Sequence, residues 1–144
     1  DYLFNKSETS QSYFQPPLEL HEIDYFEEIT LNDIKINAIK QNHGVIDTLG
    51  FIFNDVFAYC TDVVGFPEKS FEYLRKMKVL IITGLRQSPH MAHAHFDLSF
   101  EWIAKLNPDV AYLTHLSPES DHDVVTKLCP PNTYPAYDGL VIDI

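Results

Sequence analysis

A mixed α/β sheet with helices on at least one face is the fold class that the sequence predicts, on three observations. The first half of the chain carries short runs with strand periodicity, separated by turn residues. The second half alternates helical spacing with continuous apolar runs, the pattern of strands covered on both faces. At 144 residues, 45% of them hydrophobic, the chain is long enough to bury one substantial core.

The elements follow in order. Residues 1–17 are polar and Ser/Gln-rich up to "QPP" and read as the end of a helix and a linker from a missing upstream region. Residues 18–144 read as the domain proper. "LELHEI" (18–23) alternates apolar and polar residues, which predicts a strand. "IKINAIKQNH" (34–43) does the same, with Ile34, Ile36, Ala38 and Lys40 in phase on one face. "TLGFIFND" (48–55) and "VFAYCTD" (56–62) predict a hairpin turning at Asn54-Asp55. Pro67 suits a first helical turn, and Phe71, Leu74 and Met77 keep helical spacing through 67–77. "KVLIITGL" (78–85) is a buried strand. Asp97 is placed to N-cap a helix carrying Leu98, Trp102, Ile103 and Leu106, which ends at Asn107-Pro108. "VAYLTH" (110–115) is again a buried strand, "SDHDVVTKL" (120–128) a short helix and "GLVIDI" (139–144) a closing strand.

Composition narrows the function classes. A formal charge of −11 argues against sequence-independent nucleic-acid binding, which needs a basic surface. No apolar run approaches the roughly 20 residues that span a bilayer, so no membrane partner is expected. The N-terminus lacks the basic flank and apolar core of a secretory signal. Cys60 and Cys129 alone make a thin case for a disulfide, and a cytoplasmic location is the simpler expectation.

Polar groups stand where apolar strands end. His43 closes the strand 34–42, Asp62 follows 56–61 and His115 follows 110–114. A single histidine at a strand end is usually a hydrogen-bonded structural residue, and Asp62 alone would suit a turn. Three such endings carry more weight, because imidazole and carboxylate together are the usual ligands of zinc and its neighbours. A fourth feature is "PHMAHAHFD" (89–97), with His90, His93 and His95 ahead of a helix. Its structural reading is a solvated loop; its chemical reading is substrate binding or acid–base work near neutral pH.

Taken together, "NHG…TLGFIF…VFAYCTD", "LRQSPHMAHAHFDLSFEWI", "AYLTHLS" and "AYDGLVIDI" resemble the metallo-β-lactamase fold. Within it they resemble the branch containing the cyclic phosphodiesterase of phosphonate catabolism. The resemblance covers roughly residues 18–144 and only the later part of that family's fold. It implies the C-terminal part of a four-layer αββα sandwich with two metal ions, zinc or manganese, along one edge. It implies His43 as ligand of the first ion, Asp62 as the bridge and His115 as ligand of the second. It gives His93 a non-ligand role at the substrate phosphate or leaving group; His95, from the reading of "PHMAHAHFD" itself, is the second substrate-binding candidate.

Two departures stand out. Pro118 occupies the neighbourhood where some relatives carry a further histidine after "TH". The family's H-x-H-x-D-H motif, which precedes everything matched here, has no copy in these 144 residues. "HAHFDL" (93–98) imitates it, but it follows Asp62 instead of preceding His43 and has Leu98 in the last place.

Each ion would then draw two protein ligands from this chain, where a catalytic zinc typically takes three plus water. Two readings follow. In one, the chain is part of a metal-dependent phosphodiester hydrolase, inactive alone and completed by upstream sequence, a complementary N-terminal polypeptide or a homodimer. In the other, it is a non-catalytic remnant or interaction module of the same fold.

Overall fold

Short turns between apolar runs set the first half of the fold. The computed structural model describes residues 18, 20–75 and 77–144, so the helix end and linker expected over 1–17 lie outside the described residues. Strands β1 (Glu28–Leu31), β2 (Ile34–His43), β3 (Ile46–Phe53) and β4 (Phe57–Cys60) form an antiparallel meander. At the β3–β4 turn Asn54 and Asp55 both take left-handed backbone, φ 50° and 56°, and Val56 N–H returns to Phe53 O at 3.0 Å. That is the turn whose twist suits a hairpin, and Asn-Asp tolerates it.

From β4 onward the connections are crossovers. Helix α1 (Glu68–Leu74) leads to β5 (Val79–Thr83), α2 (Phe96–Leu106) to β6 (Val110–Thr114) and α3 (His122–Leu128) to β7 (Thr133–Pro135). Each of these strands pairs in parallel with the one before it. Parallel neighbours need such connections, which explains why the sequence changes texture after Asp62. The result is one seven-stranded sheet in sequential order.

The two faces of this sheet differ. One face carries Ile39, Ile52, Ala58, Cys60, Leu80, Ile82, Ala111 and Leu113, all buried. Phe71 and Leu74 of α1, Phe96, Trp102, Ile103 and Leu106 of α2 and Val125 of α3 close over it in a single cluster. The opposite face holds a cross-strand row, with Phe51 beside Tyr59, Tyr59 beside Ile81, Ile81 beside Tyr112 and Tyr112 beside Tyr134. Phe53 and Phe57 stack next to it, ring centroids 5.4 Å apart. No residue of this row belongs to the helix-covered cluster, and Tyr59 and Tyr134 are 40% and 47% exposed. The in-phase residues Ile36 and Ala38 pair with Phe53 and Phe51 on this same face, so the apolar phase read in "IKINAIK" points away from the helices.

Several expectations need correction. Among the described residues of "LELHEI" no strand forms, and Leu20 is exposed. "GLVIDI" is likewise unpaired, with Val141 and Ile144 exposed, and β7 lies earlier, at Thr133–Pro135. Alternation makes a strand only where a neighbouring edge is free to pair. Pro67 is the N-cap of α1, not a residue of its first turn, and Met77 is buried beyond the helix end. Asp97 is not the cap of α2 either. His95 holds that position, because Phe96 is buried and its N–H is drawn to Arg86 O at 3.0 Å. Asp97 lies in the first turn, where a carboxylate still complements the helix dipole.

Candidate metal centre

His43 is the last residue of β2, Asp62 stands two residues beyond β4 and His115 directly follows β6. Asp62 and His115 both adopt left-handed φ, 56° and 61°. Asp and His tolerate this region better than most residues, and strained backbone tends to persist where a site requires it. The geometry brings the strand ends together. His115 Nε2 lies 3.8 Å from Asp62 Oδ1, and His93 Nδ1 lies 3.7 Å from the same oxygen. Both separations are too long for hydrogen bonds.

His93 is the centre of a histidine cluster. Its ring stacks on His115 at 4.6 Å, meets His43 edge-on at 4.6 Å and tilts against His90 at 5.1 Å. The segment carrying it is fixed by the backbone: Ala94 N–H bonds Val63 O at 2.7 Å, and Leu85 N–H bonds Ala94 O at 2.9 Å. His95 does not join the cluster; its carbonyl accepts the Ser99 N–H at the start of α2. Burial, with His115 and His43 nearby, holds the His93 imidazole below its usual pKa, against the opposing pull of Asp62.

These residues fit a divalent ion. His93 Nδ1 is buried without a hydrogen-bond partner. His43 Nδ1 donates to Ala92 O at 2.8 Å, which fixes the tautomer and leaves Nε2 with a free lone pair. His43, Asp62 and His93 each offer a ligand atom, all within 4.8 Å of one another. Ligand atoms around a tetrahedral ion with bonds of about 2.0–2.1 Å sit roughly 3.3 Å apart, so the three would have to draw closer around an ion. Gly44 lets Ala92 come close: a Cβ there would lie 3.0 Å from Met91 O, and its φ of +77° is left-handed.

Two residues that hold the site escaped the sequence reading. Gln41, fully buried in β2, donates from Nε2 to Thr61 O at 2.8 Å. Thr48 Oγ1 donates to Asp62 O at 2.8 Å. Together they clamp the turn that presents the Asp62 carboxylate. Gly50 makes room, since a Cβ there would lie 2.5 Å from Gln41 Oε1. Gln41 faces Thr48 across β2 and β3, a meeting that the sequence alone does not mark. Thr48→Val keeps the shape but loses the donor, and should weaken Zn²⁺ binding about 10-fold, the usual effect of removing outer support. Calorimetric titration of the variant checks this.

Similar proteins share the architecture. Residues 1–116 match the family described as a β-lactamase superfamily domain. Among solved structures, a diphosphatase of the PhnP family superposes with a TM-score of 0.83 at 31% identity, over 88% of this chain and 49% of that one. Zn²⁺-bound PqqB from Methylobacterium extorquens gives a TM-score of 0.70 at 13% identity, over 88% of this chain and 56% of its own. YhfI from Bacillus subtilis, a metallo-β-lactamase fold protein, gives 0.69 at 14%, over 82% and 53%. No curated protein matches at a significant level. The chain thus spans about half the length of the PhnP-family diphosphatase. With a family match over most of its length, a mixed sheet of that fold and a His/Asp group at the strand ends, the chain belongs to the metallo-β-lactamase superfamily.

Proposed function

We propose that this chain supplies one half of a two-metal hydrolase acting on phosphodiester or diphosphate bonds. In this reading His43 and Asp62 serve one ion, Asp62 and His115 the other, and a segment bearing H-x-H-x-D-H completes both. The observation that carries it is the convergence of His93 and His115 on a single Asp62 carboxylate oxygen, at 3.7 and 3.8 Å. When bound, zinc or manganese supplies a water whose pKa is drawn toward ~7. The chain's own residues then have defined tasks. With the ions bound, Asp62 would be shared between them, the bond from His43 Nδ1 to Ala92 O would hold that ring in place, and His93 would contact the substrate phosphate or leaving group.

The partner in this reading is a polypeptide segment that lays a second sheet on the open face of Phe51, Phe57, Tyr59, Ile81, Tyr112 and Tyr134. Apolar patches of this kind mark interfaces or aggregation-prone surfaces. Uncovered, the chain should self-associate at micromolar concentration and bind a hydrophobic dye, and Phe57→Ser with Tyr59→Ser should reduce both. Sedimentation velocity with dye fluorescence is the test. A compact monomer that binds no dye counts against the second sheet.

A further inference from the structure

We infer that residues 139–144, "GLVIDI", pair as a strand with an edge of the partner's sheet, so that the chain gives its partner a strand as well as a face. The inference rests on the reading in which a second sheet covers the open face, and it adds the edge that the two halves share. Three observations support it. First, the segment has the pattern of a strand without a neighbour. Leu140 and Ile142 are half-buried and alternate with exposed Val141 and Asp143, yet the segment joins no ladder among the described residues. Val141 is β-branched and 82% exposed, a side chain that suits a pleated, half-covered surface better than open water.

Second, a tight turn breaks the segment away from β7. Gly139 has φ +88°, and Leu140 N–H bonds Tyr137 O at 3.1 Å. A Cβ at Gly139 would meet nothing within 4 Å, so glycine serves the backbone angle there and not close packing. Third, the segment starts beside the surface that the second sheet would cover. Leu140 lines a hollow of about 320 Å³ with Tyr112, Tyr134 and Tyr137. Tyr112 and Tyr134 pair at the β7 end of the open-face row.

An extended segment of this kind binds by adding to an exposed sheet edge, where main-chain bonds give affinity and alternate side chains give specificity. The partner it fits is a sheet with a free edge and apolar side chains to meet Leu140 and Ile142. This chain matches 49% of the PhnP-family diphosphatase, and the unmatched remainder is long enough to hold such a sheet. Two apolar faces alone can slide, whereas a ladder fixes register residue by residue. That register would hold H-x-H-x-D-H opposite His43, Asp62 and His115.

The test uses the purified full chain and the unmatched half of the PhnP-family diphosphatase, which carries the metal motif. Residue-resolved hydrogen exchange should find the amides of 140–144 unprotected in the chain alone. In the complex, alternate amides should slow at least about 100-fold, the mark of a ladder on one edge. Val141→Pro and Ile142→Pro remove donors of opposite phase, so one of the two should weaken association at least about 10-fold. Neither should move the urea midpoint of the chain alone, where the segment pairs with nothing. Restored turnover with amides 140–144 still unprotected and both variants binding like wild type would overturn the inference and leave the hydrolase reading standing. Protection that grows with the concentration of the chain alone would also overturn it, by assigning the strand to a second copy. Protected amides without turnover would sink the hydrolase reading and spare this one, and a partner that does not bind would overturn both.

Discussion

Asp62→Asn should abolish hydrolysis of a model phosphodiester by the complemented chain, lowering kcat by about three orders of magnitude, or roughly 4 kcal/mol of barrier. Among the described residues the Asp62 carboxylate lies near both His93 and His115, as the proposed bridge between two ions requires. An amide is neutral, and cannot offer two charged oxygens to two cations. The fold should survive the change. Asn tolerates the left-handed backbone at this position as well as Asp does, and the clamp from Thr48 and Gln41 holds main-chain carbonyls, not the side chain. Denaturation of the variant should therefore differ from wild type by no more than about 0.5 kcal/mol, as for substitutions that leave packing intact. Steady-state kinetics beside urea denaturation separates lost chemistry from lost fold.

Trp102→Ala should produce the largest loss of stability, about 3–5 kcal/mol. Trp102 is 6% exposed and meets Phe66 edge to face at 4.9 Å, while Phe66 meets Phe71 in the same manner at 5.4 Å. This chain of rings ties α2 to α1 across the helix-covered face. Its truncation leaves a cavity between the two helices inside the helix-covered core. Since small domains have roughly 5–15 kcal/mol in all, the variant should be substantially unfolded at moderate urea. Tyr59→Ser on the open face should behave in the opposite way, altering association while leaving the unfolding midpoint nearly unchanged. Parallel urea melts of the two variants check the asymmetry between the faces.

The strands legible in the sequence are those that pair along most of their length. "IKINAIKQNH" and "TLGFIF" match each other from His43↔Ile46 to Ile36↔Phe53, and "KVLIIT" is a strand because both neighbours run parallel to it. "LELHEI" and "GLVIDI" misled because periodicity records an apolar face and says nothing of an available edge. The short β1 was missed for the converse reason: four residues carry little pattern, and its signal was the Asn32-Asp33 break before β2. At the site, the strand-end placement of His43, Asp62 and His115 could be read from the sequence because a polar residue there interrupts an apolar run. The support from Gln41, Thr48 and Ala92 could not, since it depends on β2, β3 and the 91–94 segment meeting in space. His95, singled out with His93, sits at the helix cap apart from the ring cluster.

The central claim is that this chain holds half of a two-metal site and is idle without the other half. It is tested most directly by titrating the Zn²⁺-loaded chain with a polypeptide carrying H-x-H-x-D-H, such as the unmatched half of the PhnP-family diphosphatase, while following hydrolysis of bis(p-nitrophenyl) phosphate. Turnover should be negligible for the chain alone and rise saturably to a plateau at one partner per chain. Robust turnover by the metal-loaded chain without any partner, abolished by Asp62→Asn, would contradict the claim, and so would a partner that binds and restores none.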